Sequence, residues 1–189
     1  MSRELLAMSA RAAVRALRAG ELKPSELVEA ALARHDEVEP AVNAVPTLCA
    51  ERALERAREF ERGAVDTLLA GLPTVVKDLH DVEGVRTTYG STIFADHVPD
   101  RTDVSVRRQE AAGAIVLGKS NTPEFGAGAN TFNEVFGYTR NPWNTRLTCG
   151  GSSGGSAVAL ATGTAWLADG SDLGGSLRTP AAFTGVVGL

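Results

Sequence analysis

Residues 148–180 read TCGGSSGGSAVALATGTAWLADGSDLGGSLRTP, two glycine-serine clusters separated by an apolar run. The first cluster, Gly150-Gly151-Ser152-Ser153-Gly154-Gly155-Ser156, opens a small-residue segment. The second, Asp172-Leu173-Gly174-Gly175-Ser176, lies on a turn after an expected strand. Glycines on both sides of a serine let a ligand come close to the backbone, because no Cβ stands in the way. The stretch has the character of a catalytic centre. Around it, a helix is expected from about Ser153 to Ala161 and a strand near Thr164 to Ala168.

Upstream the same alternation continues. Gly71 to Asp78 is a short β-branched run between turn residues, a strand that Lys77 ends. A turn-rich loop follows through Gly84 and Gly90, then a helix from about Asp103 to Ala112 and a buried strand from Ala114 to Leu117. Helix alternating with strand predicts an α/β fold with helices packed on a sheet. The first part of the chain, about 1–63, reads as helical. Ser9 caps a helix that carries Ala10, Ala13, Val14 and Leu17 on one side and stops at Gly20. A second helix begins at Ser25 and is expected to end before Pro40. A third runs from about Leu48 to Arg62, its charged residues covering the side away from Ala53, Leu54, Ala57 and Phe60. The chain is therefore divided into a helical segment, about 1–63, and an α/β portion, about 64–189, of one domain. The apolar end, Gly185-Val186-Val187-Gly188-Leu189, is expected to be a strand and suggests a piece of a longer protein.

Composition narrows the function classes. With 43% hydrophobic and 22% charged residues the chain can bury an ordinary core. A net charge of -4 and the absence of a long basic run exclude an electrostatic footprint for nucleic acid or an anionic membrane. The partner expected is a small molecule or a peptide-like compound. Two cysteines far apart, Cys49 and Cys149, make neither a disulfide framework nor a zinc site, which points to the cytoplasm. The N-terminus is broken by charges every few residues, unlike a signal peptide or a membrane span.

Several local patterns have to be weighed. Gly113 to Ser120 fits G-x-x-x-x-G-K-[ST], but its middle residues Ala-Ile-Val-Leu are themselves the buried strand, whereas a phosphate loop follows its strand. Gly150 to Gly154 fits the nucleophile elbow G-x-S-x-G, yet a loop precedes it, and His35, His80 and His97 all come before the serine instead of after it. His80, between carboxylates, has no second ligand cluster and reads as a loop hydrogen bond. Cys149 reads as a small packing residue. A serine nucleophile then needs a base other than histidine. Burial can lower a lysine's pKa by several units, and Lys77 follows an apolar run, although most strand-end lysines reach into solvent.

The two glycine-serine clusters, with Gly170 to Arg178, resemble the signature of the amidase signature family. So do Gly71 to Asp78, Gly118-Lys119-Ser120-Asn121-Thr122-Pro123-Glu124-Phe125 and Asn141-Pro142-Trp143-Asn144. The resemblance implies the amidase signature fold, a central mixed β-sheet flanked by helices, and no cofactor or metal. It places the catalytic lysine on Lys77, a bridging serine preceded by a cis peptide on Ser152, and the nucleophile on Ser176. The implied oxyanion hole is the backbone N–H groups of Leu173, Gly174, Gly175 and Ser176. Asp172 and Arg178 are implied supports of the turn, and Ser153 either holds the loop or caps the following helix. Thr148-Cys149 departs from the family's usual proline or glycine. The activity implied is hydrolysis of a carboxamide. The alternatives are the amidase subunit of a tRNA-dependent amidotransferase, with partner subunits, and an inactive fragment. A homodimer is compatible with the first.

Overall fold

In this computed structural model the described residues are 2–63 and 66–189. The expected junction between the helical segment and the α/β portion, at residues 63–64, lies partly outside them. The order is α1 (Ser2–Leu6), α2 (Ala10–Ala19), α3 (Pro24–Val42), β1 (Thr47–Leu48), α4 (Ala50–Arg62), β2 (Pro73–Lys77), α5 (Val104–Ala111), β3 (Ile115–Ser120), β4 (Phe132–Asn133), β5 (Gly137–Tyr138), α6 (Gly154–Ala161), β6 (Leu167–Ala168) and α7 (Arg178–Thr184). Strands β1-β3-β2-β6 form one sheet. The β2 pairings with β3 and β6 are parallel and the β1–β3 pairing is antiparallel, so the sheet is mixed. Strands β4 and β5 make a separate two-stranded ribbon.

The sheet is covered on both faces. Alternation along β2 sends Val75 to one side, where it packs with Val28 and Ala31 of α3, Ala53 and Ala57 of α4, and Val158 of α6. Val76 goes to the other, against Val82, Val85 and Val106 of α5. All five residues of β2 and all six of β3 are buried, as expected of central strands with helices on both faces. A third cluster, Ala13, Leu17, Leu27, Ala70 and Leu72, fastens α2 to this body.

Local chemistry sets most boundaries. Ser9 Oγ accepts from Ala12 N at 3.2 Å and Gly20 takes φ 70°, so α2 is capped at both ends as its residues predict. Helix α3, by contrast, does not stop before Pro40; it continues to Val42. Pro40 falls in the last turn, where the ring removes only one ladder bond and its fixed φ suits the helix. The Glu39 carboxylate then takes the amides of Ala44 and Val45 at 2.9 and 2.8 Å, and Asn43 turns the chain with φ 50°. Strand β3 is longer than expected, running through Gly118, Lys119 and Ser120. Strand β6 is shorter, because Thr164 N and Ala165 N bond back to Ala159 O at the end of α6. The C-terminal residues form no strand. Gly185 ends α7 in the left-handed region, and Val186 N donates to Ala181 O, so the segment folds back on the helix without reaching a sheet edge.

Candidate active site

The parallel strands β2 and β6 deliver their carboxyl ends to the same side of the sheet, where ligands of open α/β sheets bind. Lys77 ends β2 there. Ser152 precedes α6, and Ser171 follows β6. Lys77 Nζ lies 2.8 Å from Ser152 Oγ and 3.0 Å from Ser171 Oγ, joining segments 75 and 94 residues apart. Lys77 is 0% exposed and Ser152 2%. Burial pushes the Lys77 ammonium down to about 8, against the opposing pull of Asp169 and Asp172. A lysine in this condition can accept a proton near neutral pH. The Gly151–Ser152 peptide is cis.

The second cluster is a closed turn organised by Asp172. Its carboxylate accepts from Arg178 Nε and Nη2 at 3.0 and 2.9 Å, from Gly175 N at 2.7 Å and from Leu177 N at 3.0 Å. The guanidinium and these amides hold the carboxyl far below its usual range. Of the four expected oxyanion donors, Gly175 N–H is thus engaged by Asp172. The N–H groups of Leu173, Gly174 and Ser176 meet no acceptor among the described residues.

Ser176 is half-buried, and its carbonyl accepts from Ser153 N at 3.0 Å, which ties this turn to the Ser152 segment. Its hydroxyl makes no hydrogen bond to Ser152 or to another described residue. Ser153 Oγ does not cap α6; it donates to Ser171 O at 3.2 Å and accepts from Ser171 N at 3.3 Å. With ψ 40°, Ser153 lacks the extended backbone of an N-cap, and its hydroxyl is turned to the neighbouring loop.

The demoted patterns have visible fates. Lys119 is 0% exposed and donates to Asp78 Oδ1 at 3.1 Å, His80 O at 2.8 Å and Thr87 Oγ1 at 2.6 Å, so it serves the interior and reaches no phosphate. His80 Nδ1 lies 2.6 Å from Asp169 Oδ1, and neither Ser152 nor Ser176 has a histidine partner among the described residues. Cys149 is completely buried and its thiol is pushed up to about 11 by that burial. No group of three His, Cys, Asp or Glu residues suited to a metal ion occurs among the described residues. A cleft of about 780 Å³ touches Ser153, Asp169, Gly170 and Leu177 but none of Lys77, Ser152 and Ser176.

Sequence reasoning missed Ser171 and Asp169. Ser171 stands in plain view inside the second cluster, beside the more conspicuous charge of Asp172. Nothing in the sequence ties Asp169 to His80 or to Gln109, whose Nε2 donates to Asp169 Oδ2 at 3.0 Å.

The Amidase family pattern matches residues 26–189. The chain is 48% identical over 176 residues to the A-subunit of glutamyl-tRNA(Gln) amidotransferase from Symbiobacterium thermophilum, covering 90% of this chain and 36% of that protein. The corresponding protein of a Roseiflexus species is 47% identical over 177 residues, covering 92% of this chain and 36% of that one. Among solved structures, 6-aminohexanoate cyclic dimer hydrolase superposes with a TM-score of 0.88 at 38% identity, over 95% of this chain and 37% of that one. Fatty acid amide hydrolase gives a TM-score of 0.90 at 27% identity, over 97% and 33%. The chain thus spans about a third of the length of these relatives.

Proposed function

The chain belongs to the Amidase family, and on that premise we propose that the protein cleaves a carboxamide through an acyl-enzyme on Ser176, with Ser152 and Lys77 as the proton relay. The observation that supports this most is the fully buried Lys77 Nζ at 2.8 Å from Ser152 Oγ. Neutral Lys77 takes the proton of Ser152 while Ser152 takes that of Ser176, and Ser176 Oγ attacks the amide carbon. The Ser153–Ser176 backbone hydrogen bond supports this reading, since it holds the Ser176 backbone against the segment that carries Ser152. The free amides of Leu173, Gly174 and Ser176 stabilise the oxyanion, and Gly175 adds its own if Asp172 releases it. The relay then returns a proton to the departing amine, and water resolves the ester. The reaction needs no cofactor, and a cytoplasmic setting suits two unpaired cysteines.

A fluorophosphonate probe tests the assignment. It should label Ser176 in the full-length protein, Ser176→Ala should lose the label, and Lys77→Ala should lose acylation near neutral pH. A label that persists in Ser176→Ala would place the nucleophile elsewhere.

A second reading, the amidase subunit of a tRNA-dependent amidotransferase with partner subunits, is favoured by the names of the curated relatives. The same relay would then release ammonia from glutamine. Glutaminase activity together with co-purifying partners separates the two readings.

A further inference from the structure

Asp169 does not belong to the relay, yet it sits at the end of β6 just before Ser171, the second partner of Lys77. Its backbone is fixed from two directions: Asp169 N donates to Val75 O at 2.9 Å and Ser156 Oγ donates to Asp169 O at 2.6 Å. Both carboxylate oxygens are held as well, Oδ1 by His80 Nδ1 at 2.6 Å and Oδ2 by Gln109 Nε2 of α5 at 3.0 Å. The Asp169 side chain is only 8% exposed and that of His80 24%.

The Asp169 carboxylate, two residues before the Ser171 that Lys77 Nζ meets at 3.0 Å, opposes deprotonation of the buried lysine, and a carboxylate held by an imidazolium opposes it less. We propose that His80, Gln109 and Asp169 form a clamp in which Asp169 is a positioning residue for the base, its charge offset by His80 so that Lys77 can work uncharged. The inference rests on the reading of Lys77 as the base. Asp169 also favours the protonated imidazole, raising His80 above its ordinary range. The other charges facing His80 are Asp103, ahead of α5, which adds to this, and Lys119 of β3, which opposes it. Lys77 also feels Asp172, whose partner Arg178 stays charged, whereas the partner of Asp169 is an imidazole that can lose its proton. Asp169 is therefore the carboxylate whose charge can still be tuned.

Two conservative variants move the charge in opposite senses without removing the side chains. Asp169→Asn removes the carboxylate and should lower the Lys77 midpoint by on the order of one pH unit. His80→Gln keeps a hydrogen-bond donor, removes the cation and should raise the midpoint. The readout is the titration of the Lys77 Cε resonance in lysine-labelled full-length protein, identified by its loss in Lys77→Gln. Midpoints that stay at the wild-type value in both variants, or move the same way, overturn the clamp. Opposite shifts in a protein that hydrolyses no amide would uphold the clamp and remove the amidase reading instead.

Discussion

At the scale of single residues, the relay depends on one competition: burial against nearby carboxylates at Lys77. Burial wins, bringing the group to about 8. If the neutral lysine is the active form, as proposed above, kcat/KM should fall about tenfold for each pH unit below that value and level off above it. A pH–rate profile of the full-length protein checks this, and a limb near the ordinary lysine pKa would mean that the base is solvated during turnover. Lys77 is legible in the sequence as a strand end, and its burial is not. Five consecutive buried positions in β2 put a charged group inside only because Ser152 and Ser171, distant in sequence, close over it. Cys149 shows the reverse. A small residue beside glycines reads as packing, and it packs.

At the scale of elements, α6 presses its first turn against the exit of β3. A Cβ on Gly155 would stand 2.3 Å from Asn121 N and 2.5 Å from Ala44 O, both rigid backbone atoms. Gly155→Ala should therefore cost at least about 1–3 kcal/mol and displace Ser152, lowering both the denaturation midpoint and the rate of probe labelling. The helix is legible from its small residues, but its tight approach is not, since contact across a loop leaves no periodicity. Pro40 misleads for a related reason. In the last turn of α3 a proline forfeits only one ladder bond and need not end the helix, and beyond it the Glu39 carboxylate accepts from the amides of Ala44 and Val45. The C-terminal tail misleads for a third: an apolar run becomes a strand only where an edge receives it.

At the scale of the whole molecule, strands β2 and β3 are tied by a buried ion pair as well as by their ladder. Asp78 and Lys119 are 1% and 0% exposed, and Thr88 adds two further donors to Asp78. Lys119→Met should destabilise the protein by about 3–5 kcal/mol in chemical denaturation, because the Asp78 charge would remain buried without its cation. Adding Asp78→Asn should recover part of that loss, since it is the orphaned charge that is expensive. The α/β class is legible at this scale because periodicity reports which faces are buried, but the strand order β1-β3-β2-β6 is not. Finally, the hydrogen bonds from Lys77 span 75 and 94 residues, so no local segment can assemble them. In a refolding chain Lys77 stays a hydrated ammonium until β2, the Ser152 segment and β6 have met, so under the proposed relay reactivity at the serines is a clock that starts only when the topology is complete.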